Sequence, residues 1–292
     1  TTSIKELKNY IIKKEKLRHE TRLSRLLKDP IKTIPYYILA TFARIKPFSI
    51  KFKTLWGDNI YSDLPNGNTF LYYGYPEANL TNYIISNINE KSVFMDCGSN
   101  IGFYSMLASY LNKNKTVVHS FEPAPETFRK LQINTKGKNI KVNNLALLDT
   151  EKEISFIDYG IGYNSFNSIF KRDTKNIQAL NRRGTEISVR TTTIDNYCSK
   201  NNIIPTFIKM DLEGSEYLAI LGAKDTLTKF KPDISIEVAG DNEWIENIRK
   251  THNFLKDIGY SSYQINTDGT IEKHEMKDNY KYDNLIYKYD YN

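Results

Sequence analysis

Short apolar runs alternate with amphipathic segments from residue 91 to residue 259, and this alternation constrains the fold more than any other feature. Most of the runs are followed by a segment with helical spacing of apolar residues. Repeated strand–helix units pack as a mostly parallel sheet with helices on both faces. The sequence therefore predicts an α/β fold whose successive buried strands contain SVFMDC, TVVHSFEP, IKVNNLALLD, TFIKMDLEG and PDISIEV.

The alternation is interrupted once and ends without a helix. The segments EISFIDY and ISVRTTTID have the pattern of extra strands, and they flank a polar loop at residues 160–186. Near the C-terminus, YSSYQINTDGTI and DNLIYKYDY read as adjacent strands with no room for a helix between them. Adjacent strands of this kind predict an antiparallel edge on the sheet.

The positive charge of the chain is concentrated at its N-terminus. Residues 1–53 contain 14 Lys or Arg and 4 Asp or Glu, whereas the remaining residues contain 27 and 30. Helical spacing predicts one helix over residues 4–27, and PYYILATFARIKP reads as a second short helix. We therefore predict a basic helical appendage at residues 1–60 and a catalytic domain at residues 61–292.

The composition of the appendage suits a membrane interface, because tyrosines and cations flank an apolar helix face. Its apolar stretch, residues 34–43, is shorter than the roughly 20 residues that span a bilayer. Packing on the domain or on a second subunit, as a homo-oligomer, is the alternative. No cleavable signal pattern is present. The chain begins with Thr, so the sequence leaves open whether a further segment precedes it. Two cysteines indicate a reducing compartment, so we expect a cytoplasmic protein, peripheral at the inner face of the membrane.

The stretch DCGSNIG follows the first strand of the alternation, where open α/β sheets bind ligands. Gly98 and Gly102 allow close approach of the backbone to a ligand, while Asp96 would repel a phosphate. Glu122 ends the next strand, at the usual position of an acid that binds ribose hydroxyls. A nucleoside with a positive group and no phosphate fits this pattern, and S-adenosylmethionine is such a molecule.

The chain resembles the FkbM-type family of class I S-adenosylmethionine-dependent methyltransferases over roughly residues 70–240. The resemblance implies a Rossmann-like fold with a seven-stranded sheet and O-methyl transfer, often to sugars in glycans, lipid-linked glycans or natural products. The family usually has Ala or Gly where this chain has Cys97 and Ser99. The motifs that carry the resemblance are YYGYPE, FMDCGSNIGFYS, FEP, NNLALLD, RTTTID, IKMDLEGSEYLAILGA and PDISIEV.

The resemblance also implies the cofactor-binding residues. The loop after the first strand would hold the cofactor, the acid after the second strand would bind the ribose, and the segment after the third would flank the adenine. The predicted set is Asp96, Gly98, Ser99, Asn100, Gly102, Glu122, Pro123, Ala146 and Leu147.

Three acids follow the later strands and are candidates for the catalytic base. Asp211 and Glu213 alternate, so they would share one side if the strand continued that far, and Glu237 lies near the end of the next strand. Lys209 could neutralise one carboxylate. In the alternative reading, Asp211 positions a loop and Glu213 caps the next helix. The three acids could also bind magnesium, but no residue pattern demands a metal and we assign none.

Acceptor binding is assigned to polar residues outside the cofactor loop. The loop YGIGYNSFNSIF, residues 159–170, combines amides, hydroxyls and aromatic rings that suit a sugar. We assign Asn164 and Ser165 from this loop, Glu77 from YYGYPE, and His274 from a late loop. His119 lies inside an apolar strand and reads as a core residue.

These observations favour an O-methyltransferase that acts on a sugar hydroxyl. An RNA methyltransferase is disfavoured by the acidic balance of residues 54–292 and by the lack of an NPPY-like motif, so we expect no nucleic-acid partner. A non-catalytic module that only binds S-adenosylmethionine is a further alternative.

Overall fold

Three helices, a hairpin and two more helices precede the main sheet. The structure, a computed structural model, describes residues 3–170, 184–240 and 242–291. The elements of this first part are α1 (Ile4–Arg18), α2 (Arg22–Lys28), α3 (Pro30–Ile45), β1 (Phe48–Lys53), β2 (Asn59–Leu64), α4 (Asn68–Tyr73) and α5 (Ala78–Asn87).

Local capping explains where the N-terminal helices begin. Ser3 and Glu6 form a reciprocal capping box at α1. The predicted single helix over residues 4–27 is wrong, because the Thr21 side chain accepts a hydrogen bond from the Ser24 amide and starts α2. Asp29 caps α3 and Pro30 occupies its first turn, so the second helix begins earlier than predicted.

The second part contains the main sheet and the helices that cover it. Its strands are β3 (Phe94–Cys97), β4 (Val118–Phe121), β5 (Ile140–Asn143), β6 (Ala146–Leu147), β7 (Glu153–Asp158), β8 (Thr185–Thr192), β9 (Phe207–Met210), β10 (Asp233–Gly240), β11 (Tyr260–Ile265), β12 (Ile271–Lys273) and β13 (Tyr280–Tyr289). Its helices are α6 (Phe103–Leu111), α7 (Pro125–Thr135), α8 (Ile194–Asn201), α9 (Glu216–Leu221), α10 (Lys224–Phe230) and α11 (Asn242–Asp257).

The main sheet has the strand order β12-β11-β13-β10-β9-β3-β4-β5. Strands β10, β9, β3, β4 and β5 are parallel, whereas β13 runs antiparallel between β10 and β11. The predicted Rossmann-like α/β fold is confirmed. The sheet has eight strands rather than seven, because YSSYQINTDGTI folds into the antiparallel pair β11 and β12.

A small separate sheet interrupts the alternation. The two extra strands that the sequence predicted are β7 and β8; they pair antiparallel, and β6 joins β8. The predicted third strand therefore divides, since IKVNNLALLD contributes β5 to the main sheet and β6 to the small one. Part of the predicted polar loop, residues 171–183, lies outside the described residues.

Helix α1 belongs to the apolar core on one face of the main sheet. Leu7 and Ile11 are buried in the same cluster as Leu80 and Tyr83 of α5, and the Tyr75 hydroxyl donates to the Ile11 carbonyl oxygen at 3.2 Å. Contacts therefore cross the predicted boundary at residue 60. The division into an appendage and a catalytic domain stays a prediction. In the described part of the chain, no helix is long and apolar enough to cross a membrane.

Replacing Ile11 by Ala should lower the free energy of unfolding by about 2–5 kcal/mol, because it removes buried methylene groups and leaves a cavity. Ile4→Ala, at an exposed position of the same helix, is the matched control and should stay within about 0.5 kcal/mol of the parent chain. Urea unfolding would measure both. Equal stability of the two variants would mean that α1 does not pack on the domain.

Candidate active site

A cavity of about 700 Å³ lies beyond the carboxyl ends of the central parallel strands. Its wall includes Gly98 after β3, Glu122 after β4, Asp211 after β9 and Glu237 of β10. This is where open α/β sheets bind their ligands, and the volume is in the range of sites for small molecules.

The loop between β3 and α6 approaches β9 so closely that only glycine fits at residue 98. Gly98 has a φ of 77°, and a Cβ atom there would lie 1.8 Å from the carbonyl oxygen of Asp211. Asn100 also has a positive φ, of 49°, a conformation that asparagine tolerates better than most residues. The positive φ values and the contact with Asp211 therefore fix the path of the loop along the cavity wall.

Glu122 is held in place by two backbone amides. Its Oε2 accepts from the Asn100 amide at 3.1 Å and its Oε1 accepts from the Ala124 amide at 2.9 Å. Burial raises the pKa of Glu122 to about 8. Each carboxylate oxygen keeps a lone pair that could accept from a ribose hydroxyl.

Two residues of the predicted cofactor set lie behind the cavity wall. Asp96 is fully buried, accepts a hydrogen bond from the Ser105 hydroxyl, and lies with its Oδ1 3.7 Å from the Lys209 ammonium. Gly102 faces the Leu131 side chain, which a Cβ atom would approach to 2.6 Å. Asp96 therefore supports the loop from beneath. It does not lie on the cavity surface, where the sequence analysis expected it to contact the ligand.

The three candidate catalytic acids meet in the cavity. Asp211, Glu213 and Glu237 each offer a carboxylate oxygen within 4.8 Å of the others. They do not meet through strand alternation, because β9 ends at Met210 and Glu213 lies in a turn with a φ of 54°. Burial, followed by the charges of Asp211 and Glu213, raises the pKa of Glu237 well above its usual range.

Lys209 supplies the positive charge beneath this cluster. Its ammonium lies 3.1 Å from a carboxylate oxygen of Asp211 and is almost fully buried. Sequence reasoning placed Lys209 near Asp211 but missed its second partner, Asp96. The ammonium stabilises the ionised form of the Asp211 carboxylate next to two other acids.

Glu216 was missed by the sequence analysis and organises the turn after β9. Its carboxylate accepts from the Leu212 amide at 2.7 Å and from the Gly214 amide at 3.1 Å. Glu216, rather than Glu213, therefore satisfies the free amides ahead of α9. Burial raises the pKa of Glu216 to about 7. The available signal in the sequence was the spacing, since an acid four residues after Leu212 can reach back to the Leu212 amide.

Amide and phenol groups also line the cavity. Asn164 donates to the Asn100 side chain at 2.6 Å and accepts from Asn66 at 2.8 Å, which ties the loop at residues 159–170 to the cofactor loop. Glu77 accepts from Tyr104 at 2.6 Å and from Tyr282. Burial raises the pKa of Glu77.

Two histidines are paired with tyrosines away from the cavity wall. The assignment of His274 to acceptor binding is wrong, because this residue is buried after β12 and its Nε2 lies 2.7 Å from the Tyr280 hydroxyl. His119 is a buried residue of β4, as predicted, with its Nδ1 3.0 Å from the Tyr197 hydroxyl.

The N-terminal appendage contributes to the cavity wall, which the sequence did not indicate. The C-terminal part of α1 places Glu15, Arg18 and His19 there. Arg18 donates to the Pro76 carbonyl oxygen at 2.9 Å, and its guanidinium lies 4.7 Å from the centre of the Tyr73 ring. The sequence pattern of α1 gave no sign that the charged residues at its C-terminal end would border the cavity.

The residues on the wall fit a cationic nucleoside. Acids outnumber cations around the cavity, and Glu122 offers anchored acceptors for hydroxyl groups. Of the predicted set, the wall includes Gly98, Ser99, Asn100, Glu122, Pro123, Ala146, Leu147, Asp211, Glu213, Glu237, Glu77, Asn164 and Ser165. Their roles toward ligands stay predictions.

Residues 96–262 match the profile of the methyltransferase FkbM domain. Because this match spans more than half of the 292 residues, the chain belongs to the FkbM methyltransferase domain family. The predicted resemblance and the predicted cofactor are confirmed. No curated protein matches the chain.

Several solved structures are similar at low identity. Methyltransferase FkbM from Methylobacillus flagellatus KT is 18% identical with a TM-score of 0.48, over 92% of this chain and 62% of that one. The chain thus spans less than two thirds of that protein. TYW2 from M. jannaschii, in complex with AdoMet, is 13% identical (TM-score 0.41; 82% and 86% covered). A SAM-dependent O-methyltransferase from Thermotoga maritima is 9% identical (TM-score 0.39; 82% and 77% covered).

Glu122→Ala should weaken S-adenosylmethionine binding by roughly one to two decades, because two hydrogen bonds to ribose hydroxyls, each worth about 0.5–1.5 kcal/mol, are lost. Glu126→Ala is the matched control, since Glu126 is exposed at the start of α7, and it should bind like the parent chain. Calorimetric titration measures both affinities. Unchanged affinity of Glu122→Ala would remove Glu122 from the cofactor site.

Proposed function

We propose that the chain transfers a methyl group from S-adenosylmethionine to a sugar hydroxyl of a glycan, a lipid-linked glycan or a glycosylated product. The observation that carries the proposal is the cluster of Asp211, Glu213 and Glu237 in the cavity. An alcohol is a weak nucleophile, and a carboxylate that removes its proton makes O-methyl transfer feasible.

S-adenosylmethionine, when bound, supplies a methyl group that is activated by a positive sulfur. The acceptor oxygen forms the bond to the methyl carbon as the carbon–sulfur bond breaks, and the hydroxyl proton passes to a carboxylate. Asp211 is our candidate for this base, because the Lys209 ammonium lies 3.1 Å from its carboxylate and a nearby opposite charge favours the ionised form. The cavity wall contributes alignment of the two reactants and exclusion of water.

Glu237 has a different role in this proposal. Burial and the neighbouring acids raise the pKa of Glu237, which favours its protonated form, and a protonated carboxyl can donate a hydrogen bond to Asp211 or to an acceptor oxygen. Glu213 adds a third carboxylate at the rim. This division of roles follows from the opposite environments of the acids, with an ammonium beside one and mainly acids beside the other.

Polar groups elsewhere on the cavity wall support a sugar acceptor. Amide side chains such as Asn164, the hydroxyl of Ser165, and the tyrosine-bound carboxylate of Glu77 offer donors and acceptors in several directions. A polyanion such as RNA is less suited to a wall with this many acids. The basic segment at residues 1–53 would bring the enzyme to the inner face of a membrane, where a lipid-linked acceptor is reached.

A product assay tests the acceptor class. The chain should methylate at least one member of a panel of free, oligomeric and polyprenyl-linked saccharides, detected by mass spectrometry and by a methoxy signal in NMR spectra. An RNA transcript should stay unmodified. Methylated RNA without methylated sugar would overturn the proposal, and cofactor binding without any product would favour a non-catalytic module.

Asp211→Asn should lower kcat by about a hundredfold or more, since a general base is lost, while cofactor affinity changes little. Asp225→Asn is the matched control, because Asp225 is exposed on α10. Its turnover should equal that of the parent chain. Single-turnover rates and calorimetry separate the two effects. A parent-like rate for Asp211→Asn would show that the base lies elsewhere.

A further inference from the structure

Helix α3 has two apolar faces, and only one of them packs on the chain. Thr33, Ala40 and Ala43 are buried, and Tyr36 packs edge-on against Tyr72 of α4 with ring centres 4.7 Å apart. The opposite face repeats at intervals of three and four residues, which places it on one side of the helix. This outer face is exposed and consists of Ile31, Ile34, Ile38, Phe42 and Ile45.

The exposure of this outer face is unusual for the molecule. Ile31 is 88% exposed, Ile38 64% and Ile45 80%, and the neighbouring helix α2 adds Leu23 and Leu27. Seven of the 16 exposed large apolar side chains among the described residues therefore fall within residues 23–45. Concentrated exposed apolar area marks an interaction surface.

Cations predominate around the outer face. Arg22, Arg44 and Lys46 are exposed beside it, and Lys28 is paired with Glu20, with 2.5 Å between its Nζ atom and a carboxylate oxygen. The only acid in residues 21–53 is Asp29, whose carboxylate is occupied by the Lys32 amide at 3.2 Å and lies 3.9 Å from Lys14. A symmetric dimer through this face would bring the cations against their own copies, so an anionic partner fits better than a second copy.

We propose that α2 and α3 dock on an anionic bilayer surface, with the outer face of α3 inserted at the boundary between head groups and acyl chains. A helix with one apolar face and a basic rim lies in that plane, and the 16 residues of α3 are too few to span the bilayer. His19 of the cavity wall lies three residues before α2 begins, so docking brings this part of the cavity wall close to the membrane.

Vesicle sedimentation of the full chain, without cofactor or acceptor, tests docking separately from catalysis. The chain should bind vesicles of phosphatidylcholine with phosphatidylglycerol and leave pure phosphatidylcholine vesicles largely unbound. The double variant Ile34→Asp/Ile38→Asp should lower the partition coefficient at least about tenfold, because two apolar side chains no longer enter the bilayer. Arg44→Glu/Lys46→Glu should lower it by about fivefold or more per cation.

The matched control is Ile133→Asp/Ile204→Asp. These isoleucines are 52% and 59% exposed, against 50% and 64% for Ile34 and Ile38, and they lie on α7 and in the segment before β9. This variant should sediment like the parent chain, and circular dichroism should show that all variants are folded. Absence of binding to anionic vesicles at low salt overturns the proposal. A dimer in sedimentation velocity that Ile34→Asp/Ile38→Asp converts to monomer, without vesicle binding, also overturns it.

Discussion

One buried ammonium group organises the centre of the molecule. Lys209 is 3% exposed, and its Nζ lies 3.1 Å from Asp211 and 3.7 Å from Asp96. Burial alone would lower the pKa of Lys209, but the two carboxylates outweigh it and raise this pKa. Breaking a buried ion pair typically costs about 3–5 kcal/mol, so the side chain could not be exchanged without loss. Because Asp96 faces Lys209 across neighbouring strands, the pair aligns the strand ends that form the cavity.

The chemistry of the cavity depends on this alignment. The Lys209 ammonium also lies 3.4 Å from the Gly98 carbonyl oxygen, so one cation contacts both the cofactor loop and the acid cluster. The close approach of Gly98 to the Asp211 backbone leaves no space for a side chain between them. Under the proposed function, a methyl donor on the loop and a base on the acid cluster would therefore be held near each other by the backbone, as an in-line transfer requires.

The helices of the basic N-terminal appendage lie in two different environments. Helix α1 is part of the core through Leu7 and Ile11 and borders the cavity, whereas α3 leaves an apolar face exposed. Both helices have apolar residues at helical spacing, although α1 contains six Lys or Arg and α3 contains two. Composition could therefore predict an amphipathic appendage, but it could not tell which apolar face the domain covers.

The sequence by itself determined the sheet, the glycine loop and the strand-end acids, because strand–helix alternation and glycine spacing are local patterns and parallel strands end at the same edge. Only the tertiary structure decided that Asp96 supports the loop from beneath, that His274 is buried, and that Glu216 holds the turn after β9. It also decided that Arg18 reaches the cavity. These outcomes depend on side-chain contacts, several between residues far apart in the chain, such as Lys209 and Gly98, and on how far each strand continues. No local pattern of apolar and polar residues encodes such contacts, since they follow from packing alone.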